Sequence, residues 1–324
     1  MVSVKFGVLL PHYGEFCTRS RLIDGSQRLE ELGFDSVWVR DHLLWRPHGM
    51  EGSNPTFLDA FGTLACVAGA TQRIELGTAV VIPIRWPLKV AQDFATLSFL
   101  SGRAVHAGFG MGSNSAELGA AGFDVKDREA IFTETVEICK MVWSQDNVTW
   151  QGDLFHFANV SLSPKPSESL DTWYGGTTRA SVRRAVAHCE GWLPGRLPLA
   201  TLDDRLKLLG ELSAETVRPT RWGAIPIVFI DEDRKRAFDR VDVPALAGSS
   251  EGSARWVKPR SGEFRTPEDL EGLLVAGDPH NVVDEIRKFE ARGIDQFVFD
   301  LRLDFDRYEE KLELIAKYVL PSFH

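Results

Sequence analysis

The chain has 324 residues, of which 44% are hydrophobic, and its formal net charge is −9. This length accommodates one large α/β barrel or two average domains, and an acidic chain without a run of Lys and Arg argues against nucleic acid as a partner. The four cysteines lack C-x-x-C spacing, which argues against a zinc site or a disulfide scaffold and favours a cytoplasmic protein. No segment approaches the ~20 apolar residues of a membrane span, so no membrane association is expected.

Strand-like and helix-like segments alternate along the chain. Apolar, β-branched and aromatic runs predict eight strands, at 4–10, 36–41, 73–84, 104–112, 172–176, 191–195, 222–230 and 295–301. Helical periodicity and capping residues predict helices between them, at 20–33, 53–71, 88–100, 127–143, from Arg179 through Cys189, at 279–292 and at 305–318. A small hairpin is predicted at 148–157.

Eight strands alternating with helices predict a (β/α)8 TIM barrel, with the chain 1–324 as a single domain. An open doubly wound sheet is the alternative, but no strand–GxGxxG–helix unit is present; the nearest run, GFGMGS at 108–113, ends in Ser113. The stretch 240–275 is weakly periodic and rich in Gly, Ser, Pro and charge, which indicates an insertion before the last βα unit. With the flexible run AGSSEGS at 247–253, this insertion is predicted to be a mobile lid over the barrel mouth.

Candidate chemistry follows the predicted strands, because TIM barrels carry their active sites at the carboxyl ends of the strands. The second strand ends in Asp41-His42, with Trp45 three residues later. An imidazole there can handle a proton near neutral pH; a buried, satisfied histidine beside a capping aspartate is the structural alternative. His12, at the end of the first strand, is open to either interpretation.

The run YGGTTRAS at 174–181 combines two glycines and two threonines with the start of a predicted helix. Free amides at a helix N-terminus, two hydroxyls and the positive end of the helix dipole together can bind phosphate. A simple turn with Thr as the N-cap is the alternative. Composition alone does not decide between the two.

Several stretches, in their order along the chain, resemble the bacterial luciferase-like family of flavin- and deazaflavin-dependent oxidoreductases. They are LEELGFDSVWVRDHLLW, RIELGTAVVIPIRWPLKVAQDFATLSFLSGR, AGFGMGSNSAE, LFHFANVSLSPKP, WYGGTTRASVRRAVAHCEGWLP and VAGDPHNVVDEIRKFEARGIDQFVF, and they cover most of the chain outside 196–270. The resemblance implies a (β/α)8 barrel, which agrees with the strand count. It also implies a cofactor ring over the barrel mouth, either reduced FMN for oxygen chemistry or coenzyme F420 for hydride transfer.

The resemblance further assigns roles to residues. It implies that His42 is catalytic, donating or accepting a proton close to the ring, and that the third strand carries a non-proline cis peptide at Ala79-Val80. The residues expected to contact the cofactor are Asp41, Thr78, Ala79, Val80, Ser113, Asn114, Gly175, Gly176, Thr177 and Thr178, and those expected to contact substrate are His12 and Trp45. The turn Gly175–Thr178 matches the family's phosphate-binding region.

One departure from the family bears on the substrate. Sugar-phosphate dehydrogenases of the family place a catalytic glutamate just after the glycines of the fourth strand, where this chain has Ser113 followed by Asn114. A sugar-phosphate substrate is therefore disfavoured.

The predicted function is a luciferase-like oxidoreductase acting on a small organic substrate, with FMN-dependent monooxygenation and F420-dependent hydride transfer as its two forms. A metal-dependent barrel hydrolase using His12, His42 and Asp300 is one alternative, and a non-catalytic flavin-binding barrel is another. The cofactor prediction includes no metal. A separate flavin or F420 reductase and a homodimer are left open as partners.

Overall fold

The computed structural model describes residues 4–45, 51–167, 170–217, 220–248 and 253–323. Its strands are β1 (Lys5–Leu9), β2 (Ser36–Val39), β3 (Glu75–Thr78), β4 (Val105–Phe109), β5 (Val148–Gln151), β6 (His156–Val160), β7 (Asp171–Gly175), β8 (Gly191–Leu193), β9 (Arg221–Ala224), β10 (Ile227–Ile230), β11 (Leu274–Gly277) and β12 (Gln296–Phe299). Its helices are α1 (Arg19–Glu31), α2 (Ala60–Ala70), α3 (Pro87–Ser101), α4 (Ser115–Ala120), α5 (Arg128–Ser144), α6 (Arg179–His188), α7 (Leu199–Ser213), α8 (Arg234–Phe238), α9 (Val243–Gly248), α10 (Pro279–Glu290) and α11 (Tyr308–Tyr318).

Eight of these strands close into a parallel barrel in the order β1-β12-β9-β8-β7-β4-β3-β2, which confirms the predicted TIM barrel. Inside the barrel, large apolar side chains pack against one another and fill the centre. They are Leu9, Trp38, Trp173, Leu193, Ile225 and Val298. Because the centre is packed, the barrel is not a pore, and a ligand of the barrel has room above the carboxyl ends of the strands and not within them.

Two predicted elements have different boundaries in the structure. The helix predicted at 53–71 begins only at Ala60, because the side chain of Asp59 caps it by accepting a hydrogen bond from the amide of Gly62 at 2.7 Å. The third strand, predicted to run to residue 84, ends at Thr78. The next peptide bond, between Ala79 and Val80, is cis, as predicted.

The segment predicted as one strand at 222–230 is two strands. The barrel strand β9 ends at Ala224, and Pro226, which has no amide hydrogen to donate, separates it from β10. Outside the barrel, β10 pairs in parallel with β11. The insertion before the last βα unit is therefore larger than its predicted range 240–275 and has a small sheet of its own.

The described part of the insertion packs against the rest of the molecule. Leu246 and Trp256 are only 1% and 6% exposed, so the segment has buried anchors that its composition did not indicate. Of the predicted flexible run 247–253, residues 249–252 lie outside the described residues. Within the described ranges, no helix combines the length and the apolar character that crossing a bilayer requires.

Candidate active site

A continuous cleft lies over the carboxyl ends of the barrel strands and consists of two adjoining cavities. We call them the outer cavity, of about 550 Å³, and the inner chamber, of about 300 Å³, which lies over the packed barrel centre. The two share six lining residues: Arg40, Ala79, Val80, Gly175, Gly176 and Thr177. A ligand that fills one cavity therefore lies directly beside a ligand in the other.

The outer cavity brings together most of the residues predicted for the site. They are Asp41, His42, Ala79, Val80, Ser113, Gly175, Gly176, Thr177 and Thr178. Glycines pack around the Val80 side chain, since a Cβ on Gly110 would lie 2.5 Å from Val80 Cγ2 and one on Gly175 would lie 2.7 Å from Val80 Cγ1. Side chains at either position would therefore displace Val80 from the cavity wall.

Two residues predicted to contact the cofactor do not line the cavity. Thr78 is fully buried, and its hydroxyl donates to the carbonyl of Gly108 at 3.0 Å and accepts from the same residue's amide at 2.9 Å. Asn114 is the N-cap of α4, where its side chain accepts a hydrogen bond from the amide of Ala116 at 3.0 Å. Both side chains are thus committed to holding the backbone around the site.

The two residues predicted to contact substrate lie behind the cleft. His12 is fully buried; the amide of Arg40 donates to its Nε2 at 3.1 Å, so Nδ1 carries the proton and donates to the carbonyl of Leu10 at 3.0 Å. Burial lowers the pKa of His12 to about 4 and keeps it neutral. The ring of Trp45 packs 5.1 Å from that of His42 and 4.6 Å from the Arg40 guanidinium carbon, as support for both.

His42 lines the outer cavity and is held by a buried carboxylate from α4. Its Nδ1 lies 3.2 Å from Oε2 of Glu117, whose side chain is fully buried. Burial raises the pKa of Glu117, but the hydrogen bond and the charge of His42, together with two backbone amides, outweigh it and lower that pKa below its usual value. An ionised carboxylate only accepts hydrogen bonds, so Nδ1 is the donor, and in the neutral ring Nε2 is left as the acceptor.

Asp41 orients the neighbouring turn. Its carboxylate accepts two hydrogen bonds from the guanidinium of Arg85, at 2.5 and 2.8 Å, and one from the amide of Ile82 at 3.2 Å. These bonds join the end of β2 to the turn that follows β3. The carboxylate thus positions this turn, and Asp41 also lines the outer cavity, where the resemblance implies contact with the cofactor.

The turn after β7 has the N-cap that was given as one alternative for its sequence, and it also lines the cleft. Thr178 is the N-cap of α6 in a reciprocal capping box with Ser181, so its hydroxyl is engaged within the helix. Thr177 lines both cavities. The first amides of a helix have no carbonyl acceptor within it, and Ala180 lies on the cavity wall.

Two arginines near this turn line the cleft, but the first residue of α6 does not. Arg179 pairs with Asp204 at 2.8 Å on the surface and does not line the cleft. Arg184, one turn further along α6, and Arg255, from the insertion, line the outer cavity instead. Arg184 also pairs with Glu129 at 2.8 Å, so part of its charge is balanced.

The inner chamber is lined by three arginines. Arg302 pairs with Asp300 and, at 2.6 Å, with Glu51, and Arg40 pairs with the same Glu51 carboxylate at 3.1 Å. Although burial lowers it, the charge of Asp300 raises the pKa of Arg302 well above its usual value. Arg196, by contrast, has no hydrogen-bond or ion-pair partner among the described residues. Burial and the nearby charge of Arg302 lower its pKa to about 10, which leaves it protonated at neutral pH.

The side chains proposed for a metal hydrolase do not converge. Both ring nitrogens of His12 are bonded to backbone, and the Asp300 carboxylate is bound by Arg302. His42 is held by Glu117. Across the described ranges, no group of three His, Cys, Asp or Glu side chains is arranged to hold a metal ion.

Several residues of the site were not identified from the sequence. Glu117 lies on a six-residue helix that the periodicity did not reveal, and its position four residues after Ser113 was the only signal available. Arg196 follows directly on GWLPG, the predicted sixth strand, so its place at a strand end could have singled it out. Arg255 and Trp256 come from the insertion, which was predicted to lie over the barrel mouth but from which no single residue was identified.

Comparison with known proteins places this geometry in context. A sequence model of the family described as luciferase-like monooxygenase matches residues 5–296. A protein of Intrasporangium calvum named F420-dependent glucose-6-phosphate dehydrogenase is 33% identical over 316 residues, covering 86% of this chain and 93% of its own.

Two solved structures share the fold over almost their whole length. An F420-dependent secondary alcohol dehydrogenase in complex with an F420-acetone adduct aligns with a TM-score of 0.79 and 22% identity, covering 100% of both chains. The oxygenating constituent of 3,6-diketocamphane monooxygenase from Pseudomonas putida, in complex with FMN, aligns with a TM-score of 0.78 and 18% identity, covering 100% of this chain and 99% of its own.

Proposed function

This chain belongs to the luciferase-like monooxygenase family, and we propose that it is an F420-dependent dehydrogenase that oxidises the hydroxyl group of a small anionic substrate. The observation that carries the proposal is the shared wall of the two cavities, with His42 on the outer side and the unpaired Arg196 on the inner side. We propose F420 and not FMN as the cofactor because the relative at 33% identity is named as an F420-dependent enzyme.

The outer cavity suits a flat cofactor with a phosphate. Its volume of about 550 Å³ falls within the range of small-molecule sites, and Gly110 and Gly175 keep its walls close to backbone. The phosphate would lie against the start of α6, where the free hydroxyl is that of Thr177. Arg184 and Arg255 supply positive charge on the same wall.

Proton transfer is assigned to His42. When bound in the outer cavity, F420 would supply the acceptor for the hydride that leaves the substrate carbon. The hydroxyl proton is accepted by Nε2 of His42, because Nδ1 already carries a proton and uses it in the hydrogen bond to Glu117. The aromatic rings of Trp45 and Phe57, with centroids 5.1 and 5.2 Å from the imidazole, limit its movement.

The anionic end of the substrate is assigned to the inner chamber. A guanidinium without a partner binds carboxylate or phosphate through paired, charge-assisted hydrogen bonds, and Arg196 is such a group. The chamber volume of about 300 Å³ lies at the small end of ligand sites, which favours a compact substrate. The described part of the insertion contributes Leu246 and Trp256 to the chamber wall, so this part is proposed to become less mobile when substrate binds.

The test uses the purified protein with F420 and pairs of hydroxy compounds that do or do not carry a carboxylate or phosphate. We expect tight F420 binding and loss of the F420 absorbance band with the anionic member of a pair, without oxygen uptake. A parallel titration with reduced FMN tests whether the protein is instead an FMN-dependent monooxygenase. Substrate-dependent oxygen uptake with FMN would contradict hydride transfer, and equal turnover of neutral and anionic alcohols would contradict the assignment of the chamber.

A further inference from the structure

A carboxylate without access to solvent lies directly behind the imidazole that lines the cleft. Glu117 has a side-chain exposure of 0%, and it accepts hydrogen bonds from three donors. They are Nδ1 of His42 at 3.2 Å, the amide of Leu44 at 3.1 Å and the amide of Leu43. The same group therefore fixes both the ring of His42 and the backbone that follows it.

This arrangement differs from that of another buried carboxylate in the chain. Glu134, 7% exposed, binds the turn of the β5–β6 hairpin. Its partners are the indole of Trp150 at 3.0 Å and the amides of Asp153, Leu154 and Phe155 at 2.9, 3.0 and 3.1 Å. None of these donors titrates, so Glu134 acts only on the conformation of a turn. Glu117 combines such a role with contact to a titratable ring.

We propose that Glu117 is the positioning residue of His42, fixing the Nδ1–H tautomer so that Nε2 faces the substrate hydroxyl as a base. The proposal rests on the proposed function for the identity of the base. When Nε2 accepts the hydroxyl proton, the imidazolium keeps its Nδ1 proton, and Glu117 stabilises the positive charge without becoming protonated. Carboxylates orient catalytic imidazoles in this way in several unrelated folds.

The test compares Glu117→Gln and Glu117→Asp with the matched control Glu134→Gln. Glu117→Gln keeps an oxygen that can accept hydrogen bonds from the amides of Leu43 and Leu44. It removes the negative charge that requires Nδ1 of His42 to be the hydrogen-bond donor. We expect kcat to fall roughly 10²-fold, with KM and the F420 dissociation constant changing less than about threefold. Glu117→Asp, which keeps the charge, should recover part of the loss, and Glu134→Gln should leave kcat near that of the wild type.

A second measurement does not depend on turnover. With ¹⁵N-labelled histidine, the signals of His42 are identified by their absence in His42→Ala, and they report which ring nitrogen is protonated. We expect the wild type to carry the proton on Nδ1 and Glu117→Gln to shift toward Nε2–H, while Glu134→Gln keeps the wild-type pattern. If kcat falls but the tautomer is unchanged, Glu117 is only structural and the inference is wrong.

The role of His42 as the base and the role of Glu117 in orienting it are tested separately. If His42→Ala turns over like the wild type, the base assignment fails, while the tautomer still reports whether Glu117 orients the ring. If Glu117→Gln does not fold, the wild-type spectrum and Glu117→Asp remain, and an Nε2–H signal in the wild type overturns the inference.

Discussion

The two cavities of the cleft are built from different parts of the chain. The outer cavity is lined largely by strand ends and by backbone at glycines, and its residues other than Arg255 fall in the stretches that resemble the luciferase-like family. The inner chamber is lined by charged side chains and by the insertion, through Arg196, Leu246 and Trp256. The barrel itself thus supplies the proposed cofactor site, whereas individual side chains and an inserted segment supply the proposed substrate site.

The largest expected effect is on the chemical step at the boundary between the two. We expect His42→Ala to lower kcat by about 10²–10⁴-fold, the usual contribution of a positioned acid or base. F420 affinity should change little, because the cavity glycines and the α6 turn are untouched. Steady-state kinetics and an F420 titration measure the two effects, and wild-type turnover would restore the structural interpretation of His42.

A substitution in the inner chamber should affect the substrate alone. Arg196→Gln removes the unpaired charge, and hydrogen bonds to a charged group contribute about 1.5–3 kcal/mol. We therefore expect KM for the anionic substrate to rise by about 10–100-fold with F420 affinity unchanged. Arg179→Gln, which removes a surface ion pair with Asp204, is the matched control and should leave KM unchanged. A loss of F420 affinity in Arg196→Gln would mean that the cavities do not divide the two ligands.

Substitutions at the α6 turn should have the opposite selectivity. A Cβ on Gly176 would lie 2.5 Å from Ser181 Oγ at a φ of 151°, so Gly176→Val disturbs the capping box as well as the cavity. Thr177→Ala removes one free hydroxyl. We expect each to weaken F420 binding by about tenfold, as the loss of a charge-assisted hydrogen bond would. Riboflavin, which has no phosphate, should be affected less than FMN; equal losses for both would place the phosphate elsewhere.

Acid should destabilise the folded chain through the buried His12. Its pKa of about 4 in the folded chain lies below the ordinary value of 6.5, so the unfolded chain binds the extra proton as the pH falls between these values. The stabilisation is therefore present above about pH 6.5 and is lost toward pH 4, by about 1 kcal/mol between about pH 7 and pH 5.5. Urea unfolding at several pH values measures this loss. His12→Gln should show a shallower dependence on pH, and an unchanged slope would contradict the assignment.

The smallest expected effect is on the insertion. Hydrogen exchange of amides in the described part of 240–275 should slow when F420 and substrate bind, because Leu246 and Trp256 form part of the chamber wall. Amides of β2 and β3 should not change. Strong protection without ligand that is unaltered by ligand would make the insertion a fixed wall and not a lid.

The sequence by itself determined the barrel and one side of the cleft. Apolar runs at regular spacing along the chain indicate buried parallel strands. In a closed barrel of such strands, the strand ends Asp41-His42 and Gly175–Thr178 must lie together at the mouth. The break at Pro226 was readable as well, since proline cannot donate to a strand ladder, although the prediction ran the strand through it.

Only the tertiary structure decided which polar groups are already occupied. His12 and His42 look alike as strand-end histidines, but one has both nitrogens bonded to backbone and the other faces the cleft with one nitrogen held by Glu117. Arg302 is paired with Asp300, whereas Arg196 has no carboxylate partner among the described residues. Hydrogen bonds and ion pairs between residues distant in the chain depend on how the helices and strands pack. The local sequence pattern does not predict them.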